Sequence, residues 1–244
     1  MDNAMYVALS RQMTLRRELD IVANNIANVD TTGFKVEGTM VKTDPATGAR
    51  MVDGPPSLKF VIDDGVTRDF SQGAMRQTDG PLDLAIDGQG FFKIQTAAGE
   101  RYTRDGRFTL SPDGKLTTQA GDAVQGESGE IVVNPALGPV SIAVDGTVSQ
   151  GANKIGKLAV VTFDDLSGLS KTGDNQFRNA SNLQPQPTTA ARVRQGMLEG
   201  SNVNSILQVT RLIEISRAYE SMARTIENSA ELSRRSVERL GRIA

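Results

Sequence analysis

The chain has 244 residues, with 27 Lys plus Arg against 29 Asp plus Glu, and contains no Cys, His or Trp. Lacking Cys and His, it has no disulfide, no thiolate metal site, no Ser-His-Asp or Cys-His nucleophile, and none of the commonest zinc or iron ligand sets. A net charge of −2 creates no global field for nucleic acid or anionic lipid, while the length allows one or two domains and the 24 glycines imply many turns.

The opening MDNAMYVALSRQ has neither a cationic start nor a continuous apolar stretch, so no cleaved secretory signal is expected. No apolar run approaches the roughly 18 to 20 residues that span a bilayer. Taken alone this suggests a cytoplasmic protein, or one exported by a route that reads something else. From Met5 the apolar positions recur at helical spacing. Met5, Ala8, Leu15, Leu19, Val22, Ile26 and Val29, with Gln12 among them, alternate steps of three and four, the seam of a coiled-coil helix. Arg11, Arg16, Arg17, Glu18 and Asp20 occupy the opposite face. The helix should run about 40 Å and end near Asp30-Thr31-Thr32-Gly33, where glycine supplies the positive φ of a helix exit. Asn24, Asn25 and Asn28 are poor helix formers placed just before that exit. Either they dock the helix onto a neighbour, as a buried amide fixes register in coiled coils, or they belong to a fraying end.

The middle of the chain changes grammar. Asp-Gly occurs at residues 53, 64, 79, 87, 105, 113 and 145, and it is a strong hairpin signal because both residues tolerate the positive φ of a type I′ turn. Runs such as FFKI, RFTLS, EIVV, VSIAV and KLAVVTF have β composition, so residues 40–182 read as a meandering all-β body. LQPQPTTAARVRQG at 183–196 reads as an extended connector. After Ser205 no Gly or Pro appears until Gly241. Leu212, Ile215, Tyr219, Met222 and Ile226 repeat the three-four alternation, and an extra step of four leads to Ala230, Ser233, Val237 and Leu240, a stutter in the seam. Ile206, Val209 and Ile213 form a second apolar stripe at the helix start. The fold class is therefore α+β: terminal helices pairing in a coiled-coil-like layer, and a central all-β domain. The helical domain takes residues 1–35 and 200–244, and the β domain residues 36–199, including the connector at 183–199.

Candidate chemistry is weak. GQGFF at 88–92 lacks the third glycine and the following helix of a dinucleotide fingerprint and reads as a hairpin. The acid pairs Asp63-Asp64 and Asp164-Asp165 sit in turn contexts without the aromatic platforms of a sugar cleft. SGLSKTGDNQF at 167–177 misses the spacing of a calcium loop and reads as a solvated loop. Glutamates interleave the arginines of the C-terminal helix, as on a solvated or interhelical face, which argues against nucleic acid. No catalytic residue, cofactor or metal is expected.

Three blocks together resemble the rod and hook family of flagellar axial proteins: ANNIANVDTTGFK at 23–35, LDLAIDGQGFFKI with YTRDGRFTLSPDGKL in the centre, and GMLEGSNVN with RLIEISRAYESMARTI toward the C-terminus. They occur in the family's order, while residues 44–73 match it poorly. Within the family the opening and the length are most similar to proximal-rod members, with distal-rod members as the nearest alternative. The resemblance implies a structural subunit of the basal-body rod in the periplasm, carrying torque to the hook and exported by the flagellar type III apparatus without cleavage. Its implied partners are further copies and other rod subunits, with no small-molecule substrate. The implied assembly interface is Met5, Leu15, Leu19, Val22, Asn24, Asn25, Ile26 and Asn28 on the first helix and Leu212, Ile215, Tyr219, Met222 and Ile226 on the second, with Asp30, Gly33 and Phe34 at the junction. Terminal helices that fold only on assembly are a further expectation, since ordering each residue costs on the order of 1 to 2 kcal/mol. The rival classes are a secreted adhesin, a cell-wall hydrolase or a cytoplasmic coiled-coil adaptor.

Overall fold

The protein, seen in a computed structural model, is described over residues 2–43, 61–188 and 190–241. It divides into two compact units: residues 1–27, 37–68 and 204–244 form one, and residues 28–36 and 69–203 the other. The Asp-Gly at 53 and much of the poorly matching stretch lie outside the described residues.

The first unit holds helices α1 (Asp2–Ala27) and α2 (Ser205–Gly241), together with a ribbon of two antiparallel strands, β1 (Glu37–Thr43) and β2 (Val61–Arg68). α1 packs against α2 and against both strands. Leu15 and Val22 are buried there, and Thr14 beside them satisfies its hydroxyl on the Ser10 carbonyl. Asn204 caps α2: its side-chain oxygen accepts from the Leu207 amide at 3.1 Å, one of the donors a helix start leaves without a partner. Arg68 and Glu37 lie opposite each other in the ribbon and form an ion pair at 2.8 Å. Asp64-Gly65 is not a turn, because the register slips from Gly65 to Asp63 opposite Met40 and Val41 and leaves Asp64 as the extra residue of a β-bulge.

The second unit is built of short strands: β3 (Met75–Gln77), β4 (Leu84–Asp87), β5 (Phe91–Thr96), β6 (Gly99–Thr103), β7 (Phe108–Leu110), β8 (Leu116–Thr118), β9 (Ala123–Gly126), β10 (Gly129–Glu130), β11 (Val140–Ile142), β12 (Thr147–Gln150), β13 (Asn153–Lys157), β14 (Val160–Thr162), β15 (Leu169–Gly173), β16 (Gln176–Asn179), β17 (Gln186–Pro187), β18 (Arg192–Gln195) and β19 (Met197–Glu199). The main sheet runs β15-β16-β6-β5-β9-β8-β7, and every named pairing in the unit is antiparallel. Strand β5 explains why this sheet has a core on each face. Its side chains alternate, so Phe92 and Ile94 enter one cluster with Leu84, Ile86, Phe108, Leu116 and Val124, while Phe91 enters a second with Tyr102, Phe163, Leu169 and Phe177.

The Asp-Gly pairs do varied work. Those at 113 and 145 close hairpins, but as three-residue loops in which only the glycine has positive φ, 78° at Gly114 and 84° at Gly146. GQGFF is not a hairpin: it bends the chain from β4, paired with β18, into β5 of the main sheet. The type I′ geometry belongs to Asp174 and Asn175, with φ of 46° and 53°, which turn β15 back as β16. The stretch expected as a solvated loop is therefore a hairpin, since the preceding LSKT and following QFRN supply paired strands. In the expected connector, residues 186–187 and 192–195 are extended but paired, with β14 and β4.

Tyr102 is buried in the second cluster, its ring edge-on to Phe163 at 4.9 Å. Burial, followed by the Glu100 carboxylate, pushes its phenol up to about 12. Because the folded value lies above the unfolded one, near 10, the associated stability is complete below about pH 10 and is lost as pH rises through about 12. Ultraviolet titration should show a phenolate component near 12 that disappears in Tyr102→Phe; a difference spectrum already complete at pH 10 would contradict this.

Candidate functional site

Two polar clusters hold the segments that flank the helices, one in each unit. In the first unit Asn25 is fully buried, its side-chain oxygen accepting from the Glu37 amide at 2.9 Å and its nitrogen donating to the Glu37 carbonyl at 2.7 Å. The same nitrogen donates to Gln208 Oε1 at 3.4 Å, and Gln208 is itself buried on the first turns of α2. One amide thus ties the last turn of α1 to the start of β1 and to α2. A leucine of similar volume would remove the bonds that Asn25 makes to the Glu37 amide and carbonyl and to Gln208. At about 0.5 to 1.5 kcal/mol for each hydrogen bond lost, Asn25→Leu should lose about 2 kcal/mol in chemical denaturation. Unchanged stability would show the amide to be dispensable.

In the second unit Glu199 is 0% exposed and carries both members of a buried cation pair. Lys35 Nζ donates to Glu199 Oε1 and to the Ser71 carbonyl at 2.6 Å, and Arg104 Nη1 donates to Glu199 Oε2 at 2.9 Å. Arg104 also reaches the carbonyls of Ile86 at 3.2 Å and Gly88 at 2.7 Å, with its guanidinium over the Phe91 ring at 5.5 Å. Its Nε has no partner among the described residues. The Gly73 amide completes the carboxylate shell at 3.0 Å. Burial pulls the Lys35 and Arg104 proton affinities down, and the Glu199 carboxylate beside them pulls both back up. Around this cluster the backbone of 33–36 lies along 199–202: the Gly33 amide donates to the Glu199 carbonyl at 2.8 Å and the Val36 amide to the Asn202 side chain at 2.8 Å.

Each residue singled out in the sequence has a definite environment. Leu15 and Val22 are buried, Leu19 and Ile26 half-buried, and Met5 exposed; Asn24 is exposed and Asn28 half-buried. The Asn28 carbonyl and side-chain oxygen accept from the Thr31 amide and hydroxyl at 3.2 and 3.1 Å. On α2, Leu212, Ile215, Tyr219, Met222 and Ile226 are all half-buried. The stripe then continues through Ser229 and Ser233 while Ala230 is exposed, so the expected stutter is not seen there. Counting only apolar residues skipped Ser229, a small side chain that takes the facing position. The side chains of Val237 and Leu240 lie outside the description. Asp30 is exposed and Gly33 and Phe34 are buried, with Lys171 Nζ 4.3 Å from the Phe34 ring centroid. α1 stops at Ala27, so Gly33, with φ 69°, is not its cap but lies against the Arg104–Asp105 backbone. Lys35, Arg104, Glu199, Asn202 and Gln208 were not singled out. Their one signal was that Lys35, Arg104 and Glu199 are each a charge inside one of the three blocks that carried the resemblance.

Residues 5–35 match the family described as Flagella basal body rod protein, residues 85–150 the Flagellar hook protein FlgE/F/G D1 domain, and residues 194–239 the Flagellar basal body rod FlgEFG protein C-terminal. The Flagellar basal-body rod protein FlgF of Caulobacter vibrioides is 59% identical over 100% of both chains. The chain belongs to the flagellar basal-body rod protein family. The FlgF protein of Mesorhizobium japonicum is 34% identical over 99% of both chains, and the FlgG protein of Bacillus subtilis 32% identical over 94% of this chain and 96% of its own. As a rod protein it is a structural component of the basal body and not an enzyme. The acid pairs fit that reading: in this rod protein Asp165 caps a short helix by accepting from the Ser167 amide and hydroxyl, both at 2.8 Å, and Asp164 accepts from Gln186 at 2.9 Å. Among the described residues no group of His, Cys, Asp or Glu could hold a metal ion, and no helix is long and apolar enough to cross a membrane. Lys35, Arg104 and Glu199 of this rod protein are contributed respectively by the N-terminal match, the central match and the C-terminal match.

Proposed function

We propose that the chain polymerises through its two helices into the proximal rod, where the helices form a coiled-coil-like inner layer and the subunit passes motor torque across the periplasm. Its neighbours are further copies and other proximal and distal rod subunits. The flagellar type III apparatus delivers it without cleavage. Taking FlgF as the proximal-rod member of the family and FlgG as the distal one, the proximal position is favoured because a FlgF protein is 59% identical over 100% of both chains, against 32% for a FlgG protein.

The observation that carries this reading is the apolar surface left on both helices after they have packed together. Tyr6 is 58% and Met13 67% exposed on α1, and Ile206 is 80% exposed at the start of α2, beside Val209 and Ile213. Burying such a side chain is worth about 1.5 to 3 kcal/mol, so repeated contacts along both helices suffice to drive polymerisation. Ile206→Asp and Met13→Asp test it without disturbing the free chain, because a carboxylate at these positions stays wet until a neighbour covers it. The free variants should keep wild-type helicity and melting, while complemented cells fail to incorporate them into rods and do not swim. Leu19→Asp and Ile215→Asp should fail as well, though both also strike half-buried positions of the single chain. Normal swimming by the Ile206 and Met13 variants would sink the proposal.

A further inference from the structure

The β-rich unit has an unusual order of charges along the chain. Its two buried cations come early, at Lys35 and Arg104, and the one carboxylate that bonds them comes at Glu199, six residues before α2. We propose that this cluster makes closure of the unit wait for the C-terminal segment of the chain.

Lys35 and Arg104 retain 1% and 4% side-chain exposure in the closed unit, and Glu199 retains none. A unit closing without Glu199 would bury two like charges with only the carbonyls of Ser71, Ile86 and Gly88 to meet them. Carbonyls satisfy hydrogens but bring no countercharge, and a buried uncompensated charge is among the strongest obstacles to folding. The other nearby acid, Asp69, attracts Lys35 from an exposed position and spends Oδ1 on the Ser71 amide. It does not replace Glu199. The same late segment supplies the remaining seals: β18 on β4, β19 on β3, and Asn202, which accepts from the Val36 amide and donates to the Asp69 carbonyl. A chain emerging from its N-terminus therefore carries its β sequences in an open state until residue 199 arrives. This holds whether or not the helices polymerise as proposed above.

Refolding kinetics of the full chain decide the matter, followed by tyrosine fluorescence with Tyr6 and Tyr219 replaced by Phe so that Tyr102 is the reporter. If the cluster forms in the closing step, Glu199→Gln should slow refolding about a hundredfold or more, so that most of its loss of stability appears in that rate, while changing the unfolding rate much less. The triple variant Lys35→Met, Arg104→Met, Glu199→Leu, which removes the need for countercharge, should refold at about the wild-type rate. Should Glu199→Gln fail to fold, Glu199→Asp keeps the charge with shorter reach and gives the same partition between the two rates. The proposal is overturned if the Glu199 variants refold at the wild-type rate and only unfold faster, since the cluster would then be a lock added after closure. It is equally overturned if the triple variant refolds as slowly as Glu199→Gln, because strand pairing would then set the order.

Discussion

Glu199→Gln is expected to cost the β-rich unit about 3 to 5 kcal/mol, the loss typical of removing one partner from a buried ion pair. The substitution is nearly isosteric, so no cavity confuses the reading. Gln still offers one oxygen and can accept from Lys35 or Arg104, but it brings no negative charge to either. The loss should depend on pH in a definite direction. Burial already lowers the Lys35 proton affinity, with Glu199 opposing it; without that opposition the folded variant sheds the Lys35 proton more readily, whereas the unfolded chain keeps it up to about 10.5. The unfolded state then binds more protons, so stability of the variant rises with pH across the alkaline range until the unfolded lysine titrates. Arg104 stays charged throughout. Urea denaturation at neutral and alkaline pH measures both effects, and a loss below about 1 kcal/mol, as for an exposed pair, would remove Glu199 from its central place.

Gly33→Ala should be as damaging for a different reason. Gly33 has φ 69°, and an added Cβ would lie 2.6 Å from both the Arg104 carbonyl carbon and the Asp105 nitrogen. Those are backbone atoms and cannot swing aside. Left-handed φ costs alanine roughly 1 to 2 kcal/mol before any clash, and the clash must part residues 33–35 from 104–105, which also stretches Lys35 and Arg104 away from Glu199. A loss of about 4 kcal/mol or more is expected, enough to leave a marginal unit largely unfolded. Near-ultraviolet circular dichroism follows it directly; wild-type melting of Gly33→Ala would mean that the two backbones separate freely.

How much of this was legible follows from the length over which each signal repeats. The seam of α1 and the stripe through Leu212, Ile215, Tyr219, Met222 and Ile226 repeat over several turns, and their half-buried faces follow the apolar spacing. The start of α2 was legible because a long run without Gly or Pro begins at Ser205. Turn chemistry was less so. Asp-Gly marked changes of direction, but whether the pair forms a hairpin, a bulge or a bend between sheets is decided by the partner strand, and the pair itself carries no information about that partner. The buried cluster was illegible because its members are 35, 104 and 199 residues along the chain, and a lone Lys, Arg or Glu in a Gly-rich block looks like any solvated charge. Asn25 differs from Asn24 and Asn28 only in which way its position faces, and the strand it bonds lies beyond the helix.

The route of the chain between the two units has a consequence for how the protein can be divided. The backbone passes from one unit to the other after residues 27, 36, 68 and 203, four times in all. Neither unit is therefore a single run of chain, and no one cut in the sequence separates them. A fragment that ends before residue 204 lacks α2, and one that begins after residue 36 lacks both α1 and Lys35.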